Sequence, residues 1–391
     1  MLKLLRISAT GYKMLEDSFE IDFLTKTKVM EDDYESGVFR IDNNLNSLNA
    51  IVLTGGNSSG KSTLLNLILY VCEFLKTGRW ENNFSIRNNN MEIEIDFYLN
   101  GYIYFYSSTI GFDTNDDKQA RFYNILDERI TKLKYNPAKG RKILGLASVG
   151  ADITELLLSG SIKDTSRLSD ITSSEIYYES FNTNNLISFN YSFVTRSFFE
   201  KLLATDSEII SELVRLLDES VEYIICEDER LIRFKRYNSN ELIISPNELV
   251  NILSSGTFRG LELFIRAIDT LKNGGILIVD EIENCYHRNI VFSLLFLFIE
   301  EMNINNAQLI FSTHYTEILD CINRQDAIFI MHKENGLINI KNLKEYNIRV
   351  ALSKSKQFEN NTFNTSMNYN QLMKVRRIIK NGLCSNNDRR N

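Results

Sequence analysis

Apolar and polar residues alternate over residues 2–9 and again over 19–23, which predicts an opening pair of strands. After a polar stretch, residues 49–54 (NAIVLT) form a β-rich apolar run, followed by a glycine-rich turn and by residues 63–74 at helical spacing. Met91, Ile93, Ile95, Phe97 and Leu99 alternate cleanly with polar neighbours, the chain turns at Asn100-Gly101, and it returns through residues 102–110. Asn-Gly between alternating runs is a strong hairpin signal, so an antiparallel subdomain is expected here. Residues 140–220 read as mainly helical. Within them Thr205-Asp206-Ser207-Glu208 has capping-box spacing ahead of Ile209, Ile210, Leu213, Leu216, Leu217 and Val221. Short strands are expected over 221–244. A helix then opens within 251–257 and runs to about Lys272, where Gly274-Gly275 stops it. The apolar run 276–279, a helix over 289–302, a strand over 308–312 and a helix over 316–322 come next. Strands that alternate with helices imply a parallel sheet covered on both faces.

These elements divide the chain into an N-terminal lobe (1–139), a helical insertion (140–220), a C-terminal lobe (221–350) and a tail (351–391). The tail is polar and Asn-rich from about Phe358, with a short basic helix expected over 371–380. There is no internal repeat and no long heptad run, so residues 140–220 are too few for a long coiled-coil arm.

Composition narrows the class. With 43% hydrophobic and 24% charged residues the chain is ordinary globular material. Its net charge of −7 excludes a surface that attracts nucleic acid everywhere; any such site would be a local patch. No stretch reaches the roughly 18–20 apolar residues of a spanning helix. The longest, residues 290–299, reads as a buried helix. The N-terminus MLKLLRISATGYK turns polar too early for a signal peptide. The five cysteines lack metal or disulfide spacing, which suits a reducing compartment. A cytoplasmic protein with no membrane partner is expected.

The chemistry starts at Gly55-Gly56-Asn57-Ser58-Ser59-Gly60-Lys61-Ser62, which fits G-x-x-x-x-G-K-[ST] between an expected strand and helix. Backbone N–H groups of such a loop and the helix start behind it favour a phosphate. Gly55, Asn57, Ser58, Ser59, Gly60, Lys61, Ser62 and Thr63 are therefore the candidate contacts for ATP. Lys61 would reach the β- and γ-phosphates, and the Ser62 hydroxyl would ligate Mg²⁺. The run 276–279 ends in Asp280-Glu281, which on its own is often only a strand meeting solvent. Together with the phosphate loop it offers Asp280 to the Mg²⁺ and Glu281 as general base toward an attacking water.

Leu253-Ser254-Ser255-Gly256-Thr257 opens a helix and resembles the LSGGQ signature of ABC ATPases. Asp280-Glu281-Ile282-Glu283 resembles the Walker B segment of the SMC/RecF/OLD-like branch, and Ser312-Thr313-His314-Tyr315 resembles that branch's switch-histidine loop. Gly11-Tyr12-Lys13 resembles a segment these proteins place near the phosphates. The resemblance implies an α/β ABC ATPase head with a parallel-sheet core, an antiparallel β subdomain and a helical insertion. It implies that Ser254 and Gly256 act in trans on ATP held by a second copy, in a homodimer or higher homo-oligomer. It also implies that His314 senses the γ-phosphate and that Lys13 lies beside the nucleotide. Read from the residues alone, LSSGT is equally a serine N-cap before an amphipathic helix, and a lone His after a strand is usually structural.

The pattern departs from the family in two places. A Q-loop glutamine is not identifiable, Gln119 being the one candidate, and Thr257 stands where many members carry Gln. His287 is a candidate for the segment linking Walker B to the opposite subunit. The resemblance extends to phage-defence ATPases of the PARIS and Septu systems. It implies a sensing subunit with a separately encoded effector, a nuclease or toxin, because residues after 322 hold no acidic cluster on an apolar strand. A RecF-like ATPase acting directly on DNA is the alternative, and nucleic acid stays open as a ligand. A transporter subunit fits least well. The basic residues Lys374, Arg376, Arg377 and Lys380 are either a solvated face or a grip on a partner.

Overall fold

The run Ile276–Val279 is buried along its whole length, and its neighbours in space show why it can be. It lies inside a six-stranded sheet of order β16-β15-β5-β14-β13-β9. These strands are β5 (Ala50–Gly55), β9 (Leu186–Ile187), β13 (Ile276–Val279), β14 (Gln308–Thr313), β15 (Ile328–Glu334) and β16 (Leu337–Asn342). All neighbouring pairs are parallel except β15 with β16. The register sets Phe311 of β14 beside both Val279 and Val52. Continuous apolar runs are the sequence mark of parallel strands buried on both faces.

The computed structural model describes residues 2–17, 19–34, 36–42, 45–77, 80, 86–87, 90–112, 123–134, 186–187, 196–228, 230–283, 288–346, 348–349, 352–365 and 372–380. Gln119 and His287 lie outside these residues, as does most of the expected insertion. Among them no helix is long and apolar enough to cross a membrane.

A second sheet, of order β2-β1-β6-β7-β8, is antiparallel throughout. It joins β1 (Leu2–Thr10), β2 (Phe19–Asp22), β6 (Asn90–Leu99), β7 (Tyr102–Phe112) and β8 (Tyr123–Lys134). The β6–β7 turn falls at Asn100 and Gly101, both with positive φ (50° and 90°), the conformation that makes Asn-Gly a hairpin signal. Two further strands, β3 (Val38–Asp42) and β4 (Leu45–Leu48), pair as a small ribbon. The two large sheets and helix α1 (Lys61–Thr77) share one hydrophobic core.

A separate core lies around the strands β10 (Val221–Cys226), β11 (Ile232–Arg236) and β12 (Leu242–Ile244). Helices α2 (Arg196–Leu203), α3 (Ser207–Leu217) and α4 (Pro246–Ile252) cover it. This core draws on both sides of residue 220, so the described end of the expected insertion packs with the strands β10–β12. Residues 186–187 of the insertion form a parallel edge strand on β13 rather than helix. Helix α3 is capped by Asp206, whose carboxylate accepts the Glu208 N–H at 2.7 Å; the Thr205 hydroxyl bonds the Lys201 carbonyl instead. A carboxylate at the cap also complements the helix dipole, which a hydroxyl does not.

Helix α5 (Ser255–Asn273) belongs to both cores. Phe258, Leu261 and Ile265 sit in the smaller one; Leu263, Phe264 and Ala267 sit in the larger. Gly274, at a left-handed φ of 69°, ends the helix and turns the chain into β13. Helix α6 (Arg288–Ile299) links β13 to β14.

Beyond β16 the chain returns to the parallel sheet. The Asp320 carboxylate accepts the N–H groups of Lys354 (2.6 Å) and Ser355 (3.3 Å) and the hydroxyls of Ser353 and Ser355, fastening the start of the short helix Lys354–Glu359. Phe363 is buried against Phe358 and Tyr346. Residues 372–380 form the expected short helix, exposed along its length.

Candidate nucleotide site

Strand β5 runs straight into the loop 55–60, and α1 begins at Lys61. The loop is held in a shape that few sequences tolerate. Ser58 has a φ of 61° and Gly60 a φ of 103°, both left-handed. A side chain at Gly60 would also come within 2.5 Å of Ile338, and one at Gly56 within 2.7 Å of the Thr365 carbonyl oxygen. Asn57 and Ser58 are exposed, while Ser59 is buried. Among the described residues the Ser59 Oγ has no hydrogen-bond partner. A buried hydroxyl left unpaired is costly unless a ligand completes it. The Lys61 ammonium donates to the carbonyl oxygens of Gly55 and Gly56, each at 3.0 Å. Burial lowers its pKa, and Asp280, Glu281 and Glu283 oppose that shift through their negative charge. This donor set fits a phosphorylated ligand: a cation, an orphaned hydroxyl and a loop shaped by glycine at a helix start. Ser62, at the same helix start, is exposed.

The sheet brings the acids to the same edge. Strands β5, β14 and β13 are consecutive and parallel, so their carboxyl ends lie side by side. Asp280 follows β13 directly. Its Oδ1 accepts the Ser312 hydroxyl at 2.5 Å, and the Ser312 Oγ in turn accepts the Glu281 N–H at 2.7 Å. Glu281 has a φ of 48°, a left-handed conformation unusual for a glutamate. Backbone strain of this kind clusters at functional sites. The Ile282 N–H reaches the Ser312 carbonyl (3.0 Å), which extends the β13–β14 pairing past the strand ends.

In the sequence nothing distinguishes Glu283 as a site residue; it is only the fourth residue of the acidic run. Its carboxylate accepts the His314 N–H at 2.5 Å and the Thr313 hydroxyl at 2.8 Å. His314 itself is exposed at the end of β14.

Lys13 also has a left-handed φ, 45°, and its ammonium sits 5.3 Å from the Tyr12 ring centre. Burial lowers its pKa. Its neighbours bond to β16: the Ile338 N–H donates to the Met14 carbonyl (2.7 Å) and the Glu16 N–H to the Ile338 carbonyl (3.0 Å). Because the Ile338 side chain lies against Gly60, the Lys13 segment is fastened to the residue that backs the phosphate loop.

Ser254 is the N-cap of α5. Its Oγ accepts the Thr257 N–H at 3.1 Å and lies 2.8 Å from the Thr257 hydroxyl. Ser254 and Ser255 are exposed and Gly256 is half-buried, so the helix start faces outward with its cap already made. The capping reading of this segment therefore holds for Ser254, and it leaves the remaining N–H groups of the first turn for another group.

A phosphate loop at the end of a central parallel strand, with an acidic pair at the end of a strand two places away, is the arrangement of a P-loop nucleotide-binding domain. The chain belongs to the family described as "AAA domain, putative AbiEii toxin, Type IV TA system", whose model matches residues 50–320. Among solved structures it is similar to the SMC head domain from Thermotoga maritima, with 14% identity and a TM-score of 0.42 over 87% of this chain and 98% of that one. It is likewise similar to an SMC head bound to the C-winged helix domain of ScpA, with 15% identity and a TM-score of 0.42 over 88% and 99%. No curated protein matches the chain.

Proposed function

We propose that this protein binds ATP with Mg²⁺ and hydrolyses it in sites shared by two copies of the chain. The observation that carries this reading is the common edge of β5, β14 and β13, where Lys61 feels the charge of Asp280, Glu281 and Glu283. In this reading the loop 55–60 and Lys61 take the phosphates, and Ser62 and Asp280 hold the cation. Bound Mg²⁺ supplies charge neutralisation at the β- and γ-phosphates. Glu281 polarises the attacking water, which needs an acceptor at the phosphate edge rather than a buried acid. His314 contacts the γ-phosphate region. The outward start of α5, with Ser255 and Gly256, meets the nucleotide of the second copy, since the first-turn N–H groups that the Ser254 cap does not take make an anion site.

The family description supports a toxin–antitoxin or defence setting. We place the chain there as the ATP-dependent sensing subunit, acting on a separately encoded effector. The exposed helix 372–380, with Lys374, Arg376, Arg377 and Lys380, favours a second reading in which the ATPase holds nucleic acid directly.

ATP turnover by purified protein, abolished in Lys61→Ala, tests the catalytic part. Phage plating on cells carrying this gene alone or with its neighbour tests the setting. Protection only with both genes fits the effector reading. A DNA-stimulated ATPase that gives no protection in either case fits the second.

A further inference from the structure

Besides the Asp280–Ser312 contact, three residues after β13 bond to the end of β14 and to His314 just past it. The Glu281 N–H binds the Ser312 Oγ, the Ile282 N–H binds the Ser312 carbonyl, and the Glu283 carboxylate binds His314 and Thr313. The second is a backbone extension of the parallel pair, and the first ends on a serine side chain. The third is different, because a charged group far along the chain closes on a backbone N–H. The two carboxylate oxygens are divided: Oε1 takes the His314 N–H and Oε2 the Thr313 hydroxyl. The Thr313 Oγ1 is then free to accept from the Tyr315 N–H at 3.0 Å, so one carboxylate orders three consecutive residues. Ile282, fully buried, pins the backbone between Glu281 and Glu283. His314 is exposed, so its imidazole is not fixed by packing.

We infer that Glu283 is a positioning residue: by holding Thr313 and the His314 backbone it sets the imidazole of His314 relative to Glu281. This rests on the ATPase reading given above. Displacement of the switch loop would pull on the same short segment that carries Glu281, whose own backbone is strained. The switch position and the position of the water-activating carboxylate are then one variable rather than two. Charge-assisted hydrogen bonds to a backbone N–H are among the strong ones, which suits a group that must hold a loop under load.

The test is a double-variant cycle in single-turnover ATP hydrolysis, with ATP affinity read from a fluorescent ATP analogue. Glu283→Ala is expected to slow turnover about 10- to 100-fold while changing the analogue's dissociation constant less than about threefold. In a His314→Ala background the same change is expected to add less than about a twofold loss, because the group Glu283 acts through is gone. Unchanged turnover in Glu283→Ala, or losses that multiply in the double variant, would overturn the inference. Glu283→Leu keeps much of the side chain's size, removes both acceptor oxygens, and replaces the alanine variant in the same cycle if alanine unfolds. Amide hydrogen exchange at His314 separates this inference from the reading beneath it. If the wild type shows no Lys61-dependent turnover, the ATPase reading fails. Faster exchange at His314 in the variant then still supports the holding contact, and unchanged protection overturns it.

Discussion

The Lys61 ammonium is folded back onto the Gly55 carbonyl oxygen, 3.0 Å away, inside its own loop. That contact, with the matching one to Gly56, keeps a buried cation supplied with acceptors. A phosphate offers the same nitrogen a charged acceptor. Lys61→Ala is therefore expected to abolish both ATP turnover and the rise in thermal stability that ATP gives the wild type. At 100 times the dissociation constant that rise is about 2.7 kcal/mol. Thermal melts with and without ATP check this, and an ATP-dependent shift surviving in the variant would place the phosphates elsewhere.

Glu281→Gln separates binding from chemistry. Its N–H bond to Ser312 comes from the backbone, so the strained turn survives the substitution. ATP binding within a few-fold of wild type is expected, with turnover down by ~10²–10⁴. Size-exclusion chromatography with ATP should show the variant accumulating as a dimer. Wild-type turnover would move the general base to another residue.

Sites completed in trans allow complementation. Lys61→Ala subunits mixed with signature-segment variants should regain part of the wild-type ATPase rate, as each mixed dimer holds one intact composite site. Ser254→Arg removes a cap, a loss of about 1 kcal/mol, as well as blocking the helix start. Ser255→Arg leaves that cap in place and is the cleaner partner. No recovery, with mixed dimers demonstrated, would exclude the shared site.

Lys3 gives a pH signature independent of nucleotide. Its side chain is fully buried on β1, over the Phe39 ring and bonded to the Asn306 carbonyl, and burial lowers its pKa from 10.5 to about 7. The unfolded chain keeps this proton up to pH 10.5, whereas the folded chain releases it near 7. The destabilisation is thus complete below pH 7 and relieved between pH 7 and 10.5, with a slope of up to about 1.4 kcal/mol per pH unit. Lys3→Met should be more stable than wild type at pH 6.5, by on the order of 2 kcal/mol or more, and the gap should close as pH approaches 10.5. Urea melts across that range measure it; a gap independent of pH would mean the lysine stays charged in the fold.

The features legible in the sequence are those written locally. The phosphate loop, the Asn100-Gly101 hairpin and the apolar strands 276–279 and 308–312 each carry their own signal within a few residues. Helix Pro246–Ile252 carries an equally local signal, which the apolar pattern alone misses. Ser245 and Glu248 make a full capping box, and Pro246 stands at the first helical position. The helix expected over 316–322 shrinks to Ile318–Cys321, with Asp320 turned to cap the returning tail. The role of Glu283 could not be read, because it depends on β13 and β14 being neighbours, a fact of sheet order and not of spacing. The double allegiance of α5 is hidden for the same reason: its apolar residues simply look like one broad face.

The carbonyl oxygen of Thr365 lies where a side chain at Gly56 would have to be. The segment that follows the helix Lys354–Glu359 therefore closes against the phosphate loop itself, like a rope tied to the trigger rather than to the stock. A substitution that shifts the backbone at Thr365 is therefore felt at Gly56, although the two lie near opposite ends of the chain.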